Sequence, residues 1–180
     1  MDILVIIDVQ NDFCHPNGAL YVKNGNELPV KIANVIHKFD KVLFTVDWHP
    51  TNHCSFIENG GIWPKHCVAY TEGAGLPNIF KPFISDNIIK KGESFDKEEY
   101  GAFSNVDSDL KQLFIEANNI VICGIAGDYC VKETILNILK LGIDCSKINV
   151  WLDGIVSIDK GMIIENLIHN HNLNIWTNDM

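Results

Sequence analysis

Cys130 stands in the stretch Gly124-Ile125-Ala126-Gly127-Asp128-Tyr129-Cys130-Val131. An apolar run, Ile120 to Cys123, precedes it, and Val131, Thr134, Ile135, Ile138 and Leu139 follow at helical spacing up to Gly142. The pattern predicts a strand, a glycine-bearing turn and a helix, with the thiol in the helix's first turn. Free N–H groups and the positive dipole end there favour a thiolate, the nucleophilic form of cysteine. A lone thiol is otherwise an ordinary core residue, so its chemistry depends on what meets it. Asp47 and His49 are two apart, and in a strand or its extension they point to the same side. His66 is the natural third partner. Two imidazoles and one carboxylate suit zinc, iron or manganese, with positions left open for water or ligand. Asp8 follows the run Ile3–Ile7, and the pair Lys90-Lys91 follows Asn87–Ile89. Either lysine would bring an ammonium to a strand end.

The elements that must hold these residues alternate strand with helix. Ile3–Ile7 is uniformly apolar, as expected of a central parallel strand covered on both faces. A helix is predicted from Asn26 as N-cap, with Pro29 in its first turn and Leu28, Ile32, Val35, Ile36 and Phe39 on its apolar face. Val42–Val46 is the second strand. A Gly- and Pro-rich loop from about residue 50 to 85 carries His53, Ser55, Trp63 and His66; a loop of that length in a compact domain is usually functional. The third strand is Asn87–Ile89. A helix over Val106–Ala117 shows Leu110, Leu113, Phe114 and Ala117 on one face. After the Cys130 unit come a strand over Ile148–Leu152 closed by Asp153-Gly154, a helix over Lys160–Asn170 and a short strand over Leu173–Trp176. Repeated strand–helix units imply an α/β fold, a mostly parallel sheet with helices on both faces. In a parallel sheet the carboxyl ends share one edge, so Asp8, Asp47, one of the lysines and Cys130 would meet in a single crevice.

Composition limits the alternatives. A chain of 180 residues with 47% hydrophobic residues reads as one domain over residues 1–180 with its own core. A net charge of −9 argues against nucleic acid or an anionic membrane as partner. No apolar run reaches membrane-span length, and Met1–Ile7 reads as a strand rather than an export signal. The six cysteines show no CxxC pair and are expected as reduced thiols in a cytoplasmic protein.

Five motifs carry a resemblance over nearly the whole chain: DVQNDF from Asp8, DWHPxNHxSF from Asp47, GGxWPxHC from Gly60, KG at Lys91-Gly92, and GxAxDxCV from Gly124. Their order and spacing resemble the nicotinamidases of the isochorismatase-like cysteine hydrolase superfamily. The resemblance implies a three-layer α/β fold with a six-stranded sheet. It implies hydrolysis of nicotinamide, and of pyrazinamide, through a thioester, as a step in NAD salvage. It places a triad on Asp8, Lys91 and Cys130, choosing Lys91 because it precedes glycine. It places a divalent metal on Asp47, His49 and His66, zinc first with iron and manganese as alternatives, and Ser55 reaching it through water. It implies a cis peptide at Ile125-Ala126, an oxyanion hole of the Ala126 and Cys130 N–H groups, and aromatic walls at Phe13, Trp63 and Tyr100. A small-molecule substrate is the expected partner, and a homo-oligomer is compatible. Gly127 and Gly101 stand where hydroxyl side chains are frequent, and Tyr129 at a variable position. Other amidases, vinyl-ether hydrolases on the same scaffold, and a catalytically silent nicotinamide-binding module are the competing readings. The DxH…H set and Trp63-Pro64 favour the first over its relatives, and an intact triad disfavours the module.

Overall fold

A computed structural model describes residues 1–84 and 87–178. The predicted end of the long loop at Ser85 lies outside the described residues. Six parallel strands form one sheet: β1 (Asp2–Ile7), β2 (Lys41–Asp47), β3 (Ile88–Lys91), β4 (Asn119–Ile125), β5 (Ile148–Val156) and β6 (Asn174–Ile175), in the order β3-β2-β1-β4-β5-β6. The chain winds outward from β1 in both directions. The strand order therefore reverses between β1 and β4, where open sheets of this kind place a ligand crevice.

Strand alternation assigns the two cores. Ile3, Val5 and Ile7 of β1 face Phe114 of α3 (Ser108–Glu116), Ile135 and Ile138 of α4 (Lys132–Lys140), and Ile164 of α5 (Met162–His171). Leu4 and Ile6 face the opposite way, onto Phe13 of α1 (Asn11–Cys14) and Leu28, Ile32 and Val35 of α2 (Leu28–Val35). Each of these β1 side chains is fully buried, a contribution of roughly 1.5–3 kcal/mol apiece. This is the expected three-layer arrangement. Among the described residues no helix is long and apolar enough to cross a membrane.

Several boundaries differ from expectation for physical reasons. Asn26 does not cap α2; it lies in a 3-10 turn, Gly25–Glu27, and its Oδ1 accepts from the Tyr21 hydroxyl at 2.6 Å, while Glu27 takes the cap position. Helix α3 starts at Ser108, because the Asp107 carboxylate accepts from the Leu110 N–H at 2.8 Å. Asp153-Gly154 does not close β5. The strand continues to Val156, and its pairing with β4 shifts register between Ile122 and Gly124, so the extra residues form an irregularity inside the strand. The loop after β2 is not structureless, containing 3-10 turns at Ile57–Asn59 and Asn78–Phe83.

Candidate active site and metal centre

Asp8 follows β1 directly, with φ of 49° and no solvent exposure. Its N–H donates to the Thr45 carbonyl at 3.1 Å, and the Thr45 hydroxyl donates to its Oδ1 at 2.7 Å. Its other oxygen, Oδ2, lies 2.9 Å from Lys91 Nζ but out of line for a hydrogen bond, so that contact is an ion pair. Lys91 ends β3 and is buried, whereas its neighbour Lys90 points the other way and lies 4.3 Å over the Trp48 ring. Alternation along the strand thus settles which lysine faces the crevice. Lys91 Nζ also pairs with Asp47 Oδ1, and lies 3.6 Å from Cys130 Sγ.

Cys130 sits just beyond β4. The chain leaves that strand through a cis peptide at Ile125-Ala126, as the resemblance implied, and enters a π-helical turn, Gly127–Val131, that runs into α4. The thiol is therefore in a π turn ahead of the α-helix, not in the first α turn as expected; π turns recur at functional sites. The Ala126 carbonyl accepts from the N–H groups of both Tyr129 and Val131 at 3.1 Å. Gly124 has φ of +134°, and a Cβ there would fall 2.0 Å from the Ile7 carbonyl, so only glycine lets β4 lie this close to the end of β1.

The charges within this cluster oppose one another. Burial drives the Cys130 thiol well above its ordinary value; Lys91 pulls it down, and Asp8 and Asp47 push it up again. For Cys130 burial is the largest of these influences and Lys91 the main one opposing it. Burial likewise raises the Asp8 carboxyl, partly offset by Lys91. Burial works against the charged Lys91, yet Asp47 and Asp8 hold its ammonium well above the usual range. Burial also opposes ionisation of Asp47, but Lys91 and His49 keep its carboxyl well below the usual range.

Asp47, the last residue of β2, directs Oδ2 toward His49 Nε2 at 3.6 Å and His66 Nε2 at 4.0 Å. His49 Nδ1 lies 2.9 Å from the Gly92 carbonyl and His66 Nδ1 2.7 Å from the Pro64 carbonyl. Each Nδ1–H donates to its carbonyl, which leaves each Nε2 lone pair facing the carboxylate. The three ligand atoms lie within 4.8 Å of one another and are buried. This donor set fits a divalent ion. Burial lowers the His66 pKa and so favours the neutral ligand form. Burial also opposes the charged form of His49, but Asp47 more than offsets it and raises its pKa, so a metal must compete with that proton. His66 reaches the site because its segment pairs with the residues after β2: the His49 N–H donates to the Cys67 carbonyl at 3.0 Å and the Ala69 N–H to the His49 carbonyl at 2.8 Å. The Asp12 carboxylate accepts from the Cys67 N–H at 2.7 Å. Ser55 contributes no ligand atom to the set; its hydroxyl lies 2.7 Å from Nδ1 of His53, whose ring stacks on His49 at 4.0 Å.

One pocket joins the two clusters. Asp47, His49, His66, Ala126 and Cys130 line it together with Phe13, Trp63 and Tyr100. Trp63 Nε1–H donates to the Tyr100 hydroxyl at 3.0 Å, and Phe13 lies 5.5 Å from the His66 ring. Sequence reasoning missed three contributors. Tyr129 packs against Trp63 at 5.1 Å and Tyr100 at 5.4 Å, adding a third ring to that wall. Glu98 lines the same pocket. Gln10 is fully buried and grips Asp47 by its backbone, accepting from the Asp47 N–H and donating to the Asp47 and Ala74 carbonyls, each at 2.8 Å. The signal for Gln10 lay in its place two residues after Asp8, within a matched motif. The positions of Gly127 and Gly101 also acquire a reason. A Cβ at Gly127 would fall 2.0 Å from Ser157 Oγ, and one at Gly101 would fall 2.1 Å from Asn137 Nδ2. Other polar side chains occupy the space there.

Comparison with known proteins agrees with this geometry. The model of a family described as the Isochorismatase domain matches residues 2–150. The nicotinamidase of Escherichia coli (strain K12) is 34% identical over 179 aligned residues, spanning 84% of this chain and 81% of that protein. The pyrazinamidase of Pyrococcus horikoshii, solved in complex with zinc, superposes with a TM-score of 0.81 at 34% identity, covering 98% of each chain. PnC1 from L. infantum, solved in complex with nicotinate, superposes with a TM-score of 0.85 at 31% identity, covering 99% of this chain and 93% of that one. With sheet order, site geometry and whole-length similarity in agreement, the chain belongs to the isochorismatase family, in its nicotinamidase branch.

Proposed function

We propose that this protein is a divalent-metal-dependent cysteine amidohydrolase that converts nicotinamide to nicotinate and ammonia in NAD salvage, and that it also accepts pyrazinamide. The observation that carries the proposal is that the Cys130 thiol shares one pocket with a carboxylate and two oriented imidazoles, and that behind it the Lys91 ammonium touches both the thiol and the Asp8 carboxylate. Relatives named as nicotinamidases and the zinc and nicotinate complexes named above support the substrate and the metal.

In this reading Asp8 takes the Cys130 proton as sulfur attacks the amide carbon. The N–H groups of Ala126 and Cys130 receive the oxyanion; losing one such donor typically costs about 3 kcal/mol of barrier. Asp8 returns the proton to nitrogen, the C–N bond breaks and ammonia leaves a thioester on Cys130. Asp8 then deprotonates a water that attacks the acyl carbon, the C–S bond breaks and sulfur regains a proton. Lys91 offsets negative charge on Asp8 and on sulfur throughout. Phe13, Trp63 and Tyr100 sandwich the pyridine ring and exclude water. Asp47, His49 and His66 would hold a divalent ion, zinc in our reading, which would supply a Lewis-acid site beside the substrate. We take residues 1–180 as one hydrolase domain, since β6 joins the same sheet as β1, and as a cytoplasmic protein, since all six cysteines are free thiols. Ammonia release from nicotinamide tests the proposal. Activity lost to a chelator and restored by zinc is expected; turnover unaffected by complete metal removal contradicts the metal assignment, and no ammonia release from the metal-loaded protein contradicts the function.

A further inference from the structure

The surroundings of Lys91 Nζ resemble the coordination sphere of a metal more than those of a lysine in a salt bridge. Asp8 Oδ2 lies at 2.9 Å, the Glu99 carbonyl oxygen at 3.4 Å and Cys130 Sγ at 3.6 Å, and Asp47 Oδ1 is in direct contact. The two oxygens of Asp47 divide between two cation positions. Oδ2 faces the His49 and His66 nitrogens, while Oδ1 faces the ammonium. A carboxylate shared in this way is how paired metal ions are bridged. Ligand atoms of Asp8, Asp47 and Cys130 lie within 4.8 Å of one another, all buried. Asp8 Oδ2 is fully buried, and among the described residues the Lys91 ammonium, 2.9 Å away, is the cation that answers its charge.

We propose that Lys91 occupies a latent second metal site, formed by Asp8, Asp47 and the Cys130 sulfur, and that its tethered ammonium keeps thiophilic divalent metals off the nucleophile. Without the ammonium, the buried Asp8 carboxylate would lack a counter-charge and Asp47 would keep only the partners on its Oδ2 side, a costly state that recruits a cation. A soft divalent ion meets that need: the Cys130 proton leaves to solvent and sulfur becomes a ligand. In the natural protein the ammonium is fixed to β3 and competes as an intramolecular partner that no dilution removes. This gives Lys91 a role distinct from assisting the reaction. A protein that uses a metal beside a reactive thiol needs a means of confining the metal to one position. The inference rests on reading Asp47, His49 and His66 as the metal centre, but the sulfur reports the second position independently.

Cadmium is the probe, because its bond to a thiolate gives an ultraviolet charge-transfer absorption that nitrogen and oxygen ligands do not. Metal-free wild type, Lys91→Met and Lys91→Arg are titrated, with stoichiometry read by equilibrium dialysis. Wild type and Lys91→Arg should bind one equivalent with no sulfur band. Lys91→Met should bind a second equivalent with the band, and Lys91→Met/Cys130→Ser should lose both. In wild type, cadmium beyond the first equivalent should not slow Cys130 alkylation by iodoacetamide further, a measurement that needs no variant to fold. A sulfur band in wild type, or protection from alkylation that grows beyond the first equivalent, overturns the proposal, as does a Lys91→Met protein that gains no band. A band in Lys91→Met with no nitrogen-bound equivalent in either protein supports the second site and refutes the first centre instead.

Discussion

Gly92→Ala should separate the metal centre from the rest of the fold. Gly92 has φ of +65°, and a Cβ there would fall 2.4 Å from His49 Cε1 and 2.6 Å from Nδ1. The backbone conformation alone costs an L-residue roughly 1–2 kcal/mol. The clash adds to this, because the His49 ring must rotate off the Gly92 carbonyl, which it meets at 2.9 Å, giving up a hydrogen bond of about 1 kcal/mol. Disturbing such an orienting contact typically weakens metal affinity about 10–100-fold, or roughly 1.4–2.7 kcal/mol. The predicted result is a loss of about 2–3 kcal/mol in stability without metal, together with that loss of affinity. Gly142→Ala is the matched control. Gly142 has φ of +82° and nothing within 4 Å of its Cβ position, so it carries the backbone cost alone and should leave affinity unchanged. Zinc competition against a chromogenic chelator measures the affinity, and thermal unfolding the stability. If Gly92→Ala binds zinc as tightly as Gly142→Ala does, His49 is not the ligand inferred here.

Other substitutions probe the remaining contacts. Gln10→Met removes both of the side chain's contacts to the Asp47 backbone and its contact to Ala74; zinc affinity should fall about tenfold or more, with kcat recovering at saturating zinc. Tyr100→Phe removes the acceptor for Trp63 Nε1, so KM for nicotinamide should rise about two- to tenfold while kcat holds, and steady-state kinetics will show a fall in kcat instead if Tyr100 acts chemically. Because burial raises the Asp8 carboxyl and the base must be ionised, kcat/KM should decline as pH falls through a value above the ordinary carboxylate range. A pH–rate profile flat down to that ordinary range would remove Asp8 as the base.

The parts of this site that were legible in the sequence are those where a residue's type and its place at a strand end carry the information. Asp8, Asp47, Lys91 and Cys130 each terminate or follow an apolar run, and a parallel sheet brings such ends together whatever the loops do. Period-two alternation would also separate Lys91 from Lys90, yet the sequence left the phase open until β3 was seen to end at Lys91. The roles of Gln10 and Tyr129 were not legible even though Gln10 lies inside a matched motif, because those roles depend on tertiary placement: a carboxamide reads as polar surface until a neighbouring strand presents its backbone to it. The caps and the β5 irregularity were missed for a related reason. Local preference placed Asn26 at a helix start and Asp153-Gly154 at a strand end, and contacts made elsewhere overrode both. The burial around Cys130 and the two carboxylates that oppose ionisation of its thiol were likewise not visible from local sequence.

Covalent capture at Cys130 is the claim that all else serves. Rapid acid quench of the zinc-loaded protein during turnover of nicotinamide, followed by intact-mass and peptide analysis, should find a nicotinoyl group on Cys130 in wild type and none in Cys130→Ala, which should release no ammonia while still binding zinc. Sustained ammonia release by Cys130→Ala would contradict the account.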